Sequence, residues 1–293
     1  MERFSKKILA GEVNSPEDWV EYLKQAHHEA PGMTPHAFDD FKASNGQNSY
    51  QVLAKTLGKL SSKQVRILDL ACGDGHLIPF IQKMAEEPAQ ILGVDMSADE
   101  LEIAKTKKFG SNVIFKCEMA NSISESSNSF DAILCHMALM LMTPIEPVVL
   151  ELYRLLRPNG LIASVVGSSP SELSFNMTYR KILNGFIKEK YPKFIAPVTG
   201  DQRINTQKDL QSVFPESKFY DLKAENICLF KDIQPMESWN YFKDMYLVTI
   251  LPDKEKAELR SRIVAAAEDA KNSSNLLTLE FPISLISCRK KLD

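Results

Sequence analysis

The chain has 293 residues, of which 44 % are hydrophobic and 25 % charged, with a formal net charge of −3. That length suits one large domain or a core carrying a cap, and the slightly acidic balance gives no support for a nucleic-acid partner. No apolar run is long enough for a membrane span, residues 1–12 hold no signal-peptide core, and the scattered cysteines Cys72, Cys117, Cys135, Cys228 and Cys288 lack the Cys-x-x-Cys spacing of a zinc site, so a cytoplasmic chain without metal or membrane attachment is expected.

Helices come first. Trp19, Tyr22, Leu23 and Ala26 recur at helical spacing until Pro31-Gly32, and Tyr50, Leu53, Ala54 and Leu57 repeat the pattern before Gly58. A first strand is predicted over 65–70, followed by a helix burying Leu77, Ile81, Met84 and Ala85, with Pro79 in its first turn. A second strand spans 90–95, and Ser97 with Glu100 reads as a capping box for the next helix. Strands follow over 112–117 and 130–135. Thr143-Pro144-Ile145-Glu146 reads as a second capping box, with Ile145, Val148, Val149, Leu152 and Leu156 as the buried stripe. A fifth strand covers 161–166. The alternation implies a mostly parallel sheet with helices on both faces. Residues 168–200 read as a helical insertion over the site, and their basic run between 180 and 193 as a solvated helix face. Residues 206–214 suggest a short capped helix, 235–250 and 252–272 two more helices, and 219–230 with 276–288 an antiparallel pair of last strands.

Residues 67–77 read Ile-Leu-Asp-Leu-Ala-Cys-Gly-Asp-Gly-His-Leu, an apolar strand ending in a glycine loop that opens a helix. Such a junction brings bare backbone up to a ligand. Asp95 follows Gly75 by twenty residues, at the end of the second strand, where an acid can accept from both hydroxyls of a ribose. Together they point to an adenosine-containing cofactor. A dinucleotide loop would carry a third glycine, but Ile78 stands there, and Asp69 is a poor neighbour for a pyrophosphate. An acid suits a cation, and S-adenosylmethionine carries a sulfonium, an ammonium and no phosphate.

On these residues, with Gly-Val-Asp-Met-Ser at 93–97, Ser-Phe-Asp-Ala-Ile-Leu at 129–134 and Glu-Leu-Tyr-Arg-Leu-Leu-Arg-Pro-Asn-Gly at 151–160, the chain resembles the class I S-adenosylmethionine-dependent methyltransferases, in their small-molecule branch. The resemblance covers roughly residues 60–167. It implies an α/β, Rossmann-like, seven-stranded and mostly parallel sheet, divided as an N-terminal helical lid (1–62), a cofactor-binding core (63–167), a helical cap insertion (168–205) and a C-terminal completion of the sheet (206–293). It further implies that Asp69 and the Ala71 carbonyl hold the methionine ammonium, that Asp95 takes the ribose, and that Met96 packs on adenine. Cys72, Gly73, Gly75, His136 and Leu141 join these as cofactor contacts. Met119 stands where the family places an adenine-reading acid, so backbone groups of Met119 and Ala120 would read the base. Glu118 could substitute, although strand alternation turns it away.

His136, after the fourth strand, could accept a proton from the methyl acceptor or simply hydrogen-bond its surroundings; the second reading is preferred. Tyr22, Tyr50 and Arg203 are candidate substrate contacts, with a structural ion pair as the preferred reading for Arg203. His27, His28 and His36 lack metal-ligand spacing and read as lid or helix-end residues. The function expected is methyl transfer from S-adenosylmethionine to a small molecule, with S-adenosylhomocysteine as product. The alternatives are a nicotinamide-dependent oxidoreductase or a silent cofactor-binding module. The sequence does not indicate an oligomeric state.

Overall fold

The computed structural model describes residues 2–58, 65–84, 89–205 and 209–292. Four helices lead: α1 (Glu2–Ala10), α2 (Pro16–Glu29), α3 (Met33–Phe38) and α4 (Ser49–Lys55). The core then alternates β1 (Arg66–Leu70), α5 (Ile78–Gln82), β2 (Gln90–Asp95), α6 (Ala98–Thr106), β3 (Val113–Cys117), β4 (Phe130–His136), α7 (Ile145–Leu155) and β5 (Leu156–Gly167). The remainder supplies α8 (Phe175–Lys190), α9 (Leu210–Val213), β6 (Phe219–Ile233), α10 (Ser238–Phe242), α11 (Tyr246–Thr249), α12 (Asp253–Asp269) and β7 (Leu277–Lys290). The seven strands run in the order β3-β2-β1-β4-β5-β7-β6. The first five are parallel; β7 pairs antiparallel with both β5 and β6.

Strand alternation sorts the core into two faces. Ile67, Ile91, Leu134 and Ala163 join α4, α5, α8 and α12 through Leu53, Ile78, Phe186 and Ile263. Leu68, Leu92, Ile133 and Ile162 join α7 and α9 through Val148, Leu152 and Leu210. Each such Leu or Ile, fully buried, contributes about 1.5–3 kcal/mol. A satellite cluster of Phe4, Ile8, Trp19, Tyr22, Leu23 and Ile250 packs α1 and α2 beside the core. Among the described residues no helix is long and apolar enough to cross a membrane.

Local chemistry sets several boundaries. Ser15 caps α2 and exchanges hydrogen bonds with Asp18, and Asn48 does the same for α4 with Gln51. The predicted box at Ser97 is half made. Ser97 Oγ accepts from Glu100 N, but the Glu100 carboxylate turns away to the N-terminal helices. The box at Thr143 does not form. The Thr143–Pro144 peptide is cis, Pro144 sits at the N-cap, and no side chain caps α7. The helix ends at Leu155, so the buried Leu156 already belongs to β5. Helix α9 also lacks a side-chain cap, and residues 206–208 and Ala85 lie outside the described residues. The helix expected over 235–250 is broken into a 3-10 turn, α10 and α11. Helix α8 packs on α12 and β7, and no residue from 168–205 lines the central cavity, so the expected cap lies elsewhere. Its basic face is solvated and paired in part, Lys190 with Glu258.

Candidate functional site

Beyond the carboxyl ends of β1, β2 and β4 lies a cavity of about 180 Å³. Strand order reverses between β1 and β4, so the chain leaves these neighbours in opposite directions and opens a crevice there. The N-terminal helices cover it, with Val20, Leu23, His27, Thr34, Pro35 and Tyr50 in its wall.

The loop after β1 is bent by three residues in the left-handed region, Ala71 (φ 53°), Gly73 (φ 52°) and Gly75 (φ 76°). Asp95 holds the bend. Its Oδ2 accepts from Gly73 N at 2.8 Å and its Oδ1 from Ser97 N at 2.9 Å, while Cys72 N donates to Val94 O at 3.0 Å. Burial raises the Asp95 carboxyl, with the Ser97 and Gly73 amides pulling it back. Asp95 itself lines the cavity, and each of its oxygens has a further lone pair to offer. Gly73 lines it too. Gly75 does not: a Cβ there would meet Phe109 Cε2 at 3.1 Å and Ile78 Cδ1 at 3.2 Å, so this glycine serves the packing of the loop and not a ligand contact.

Asp69 is fully enclosed, and its Oδ2 has no hydrogen-bond partner. Burial, then the charges of Asp95 and Asp74, push its carboxyl well above the usual range. An orphaned buried carboxylate oxygen is costly unless something cationic faces it. Asp74, Glu100 and Glu118 also line the cavity, and among the described residues no Lys or Arg does. Lys107 approaches from behind and pairs with Asp74 at 2.6 Å.

Glu100 ties the N-terminal helices to the core. From α6, buried, it accepts from Gly32 N at 3.0 Å and meets His27 Nδ1 at 2.8 Å. Burial works against protonation of His27, but the Glu100 bond and the charges of Glu100 and Asp95 outweigh it and raise the imidazole. Trp19 Nε1 adds a second tie, donating to Leu141 O at 2.9 Å.

The far wall is aromatic. His136 is buried, its Nε2 lies 2.8 Å from Ser49 Oγ, and its ring stacks on Tyr50 at 3.7 Å. His76 packs edge-on against Tyr50 at 4.7 Å and lies 3.3 Å from Asp39 Oδ1, without hydrogen-bond alignment. Burial, and then the charge of His76, drive the His136 imidazole down to about 3, so it is neutral at working pH.

Ala71, Cys72, Met96, Met119, Ala120, Leu141 and Tyr50 all line the cavity with Asp69, Gly73, Asp95 and His136. Glu118 reaches it as well, against the alternation argument, but its carboxylate already accepts from Ser124 N at 2.9 Å. Two substrate candidates do not reach it. Tyr22 is in the satellite cluster, with its hydroxyl on Thr249 and Tyr246, and faces a separate groove. Arg203 is held by Asp201 and Glu146 on the surface, the ion-pair alternative. The sequence reading passed over His76 and Ser49 and did not place His27 at the site. The capping-box signal at Glu100 was the available clue, because a capping acid that leaves its own helix must have a stronger partner.

Residues 67–160 match the family model described as a methyltransferase domain. A demethylmenaquinone methyltransferase from Oceanobacillus iheyensis is 25 % identical over 162 residues, 54 % of this chain and 64 % of that protein, so the chain spans less than two thirds of that relative. Among solved structures, the YcgJ protein of Bacillus subtilis superposes with a TM-score of 0.54 at 19 % identity, over 84 % of this chain and 99 % of that one. The [4+2]-cyclase SpnF superposes at 0.53 and 15 %, over 96 % and 98 %. At these identities the structural likeness fixes the fold, and the chemistry has to be read from the site. Over residues 67–160 the chain is therefore similar to methyltransferase domains, and the sheet around that stretch has the α/β, Rossmann-like fold of the solved structures.

Proposed function

We propose that the chain transfers a methyl group from S-adenosylmethionine to a small-molecule acceptor, leaving S-adenosylhomocysteine. One observation carries this: the unpartnered Asp69 Oδ2 beside a left-handed glycine loop, in a cavity lined by carboxylates and, among the described residues, by no Lys or Arg. A pyrophosphate would meet those acids without a counter-charge, which disfavours a nicotinamide dinucleotide. The cofactor supplies a sulfonium-bound methyl that is already activated. Asp69 and the Ala71 carbonyl would hold its ammonium, Asp95 its ribose, and Met96, Met119, Ala120 and Leu141 its adenine.

The protein's own contribution is alignment and exclusion of water. Alignment alone can supply up to about 7–11 kcal/mol. Helices α1 to α4 act as the lid, tied down through Glu100 and Leu141. His136, neutral, bonded to Ser49 and stacked on Tyr50, orients what enters and is a poor proton acceptor at neutral pH. The five free cysteines fit a reducing cytoplasm. Titration calorimetry with S-adenosylmethionine tests the proposal: binding below about 100 µM supports it, and no heat at several hundred micromolar refutes it. Release of S-adenosylhomocysteine from a metabolite extract would separate an enzyme from a silent binding module.

A further inference from the structure

We infer that the acceptor taken by this cavity is uncharged where it enters, and that carboxylate- or phosphate-bearing acceptors are rejected. The inference rests on the methyltransferase reading and narrows its substrate class.

The argument is one of charge and solvation. Five acids line the cavity, Asp69, Asp74, Asp95, Glu100 and Glu118, contributed by β1, its loop, β2, α6 and the turn after β3. Its one cation-forming lid residue, His27, is already matched by Glu100. The wall at the end of β4 offers Thr34, Tyr50, His76 and His136 as polar groups, none of them a guanidinium or ammonium. Between them stand Leu23, Pro35 and Met137. An anion moved into this space would lose its hydration and find no guanidinium or ammonium among the described lining residues, while the acids Asp95 and Glu118 would repel it. Lys107 is taken up by the cavity-lining Asp74, and Arg203 by Asp201 and Glu146 on the surface. A neutral hydroxyl or ring loses little on entry and can bond the imidazoles or Tyr50.

The test uses matched pairs of small probes on the protein loaded with S-adenosylhomocysteine: benzyl alcohol against benzoate, and butanol against butyl phosphate. Binding is followed by saturation-transfer NMR. The neutral member of each pair should bind at least about tenfold more tightly than its anionic twin. In the Thr34→Lys variant, which puts an ammonium on a half-buried position of the cavity wall, the preference should shrink or reverse. Equal or tighter binding of the anions to the unmodified protein overturns the inference. So does binding of neither class, or a preference that Thr34→Lys leaves untouched. Failure to bind S-adenosylhomocysteine at all would instead overturn the methyltransferase reading, so the two can fail separately.

Discussion

Replacing Asp69 by Asn would keep the shape of the loop and remove the charge the cofactor is expected to seek. In the empty protein the Asp69 carboxyl sits well above its ordinary value, because it is buried and faces Asp95 and Asp74. A bound ammonium or sulfonium would favour the carboxylate, so binding should expel a proton across the window between the ordinary carboxyl value of 3.8 and the raised one. The sign follows: affinity climbs as pH rises through that window, by at most about tenfold per pH unit for one proton, and levels off above it. A unit charge pair at about 4 Å in an effective dielectric of about 20 is worth about 4 kcal/mol. Asp69→Asn should therefore weaken S-adenosylmethionine by roughly two to three decades. Calorimetry in buffers of different ionisation enthalpy counts the released protons directly. Proton release of equal size in the Asn variant, or an affinity within a factor of about three of the unmodified protein, would refute the reasoning.

Gly75→Ala should cost about 1–3 kcal/mol in denaturant unfolding, because the added methyl enters a left-handed residue against Phe109 and Ile78. His27 is raised above 6.5 in the folded protein, so its tie to Glu100 is complete below that value and is lost as pH rises through the folded one. Amide exchange in α2, corrected for intrinsic rate, should speed up at alkaline pH in the native protein and be pH-independent in His27→Gln. With the His136 imidazole pushed down to about 3, the pH–activity curve should show no limb near 6.5 from this residue, and His136→Gln should lower activity without changing the curve's shape. Arg203→Ala, on a surface ion pair, should change stability by less than about 1 kcal/mol and leave the acceptor KM unchanged.

The sheet was readable because its strands are apolar runs closed by turn residues. The stretch Gln90–Asp95 matches the predicted boundary residue for residue, and β1, β3 and β4 differ by one position. What escaped was decided by partners distant in the chain. Glu100 has the spacing of a capping acid, yet two partners from the lid, Gly32 and His27, take its carboxylate. Thr143 precedes a proline as a cap would, yet Pro144 itself takes the N-cap position and no side chain caps the helix. At the site, the loop, Asp95 and Asp69 declare themselves through local spacing. His76 and Ser49 do not, since nothing near them in sequence says that Tyr50 and His136 will stack beside them. For Arg203 the neighbouring Asp201 made an ion pair legible, while its second partner Glu146, 57 residues away, was not.

The last strand in chain order, β7, threads between β5 and β6 rather than adding to an edge. While the polypeptide emerges from the ribosome, β6 meets only the single bridge from Lys42 and lacks its strand partner, and the flank of β5 stays open until β7 has been translated. The nascent molecule thus carries two unpaired strand flanks, a template for errant pairing. Interrupting translation before β7 would leave every cavity-lining residue in place in the chain but the β5 side of the sheet unsealed.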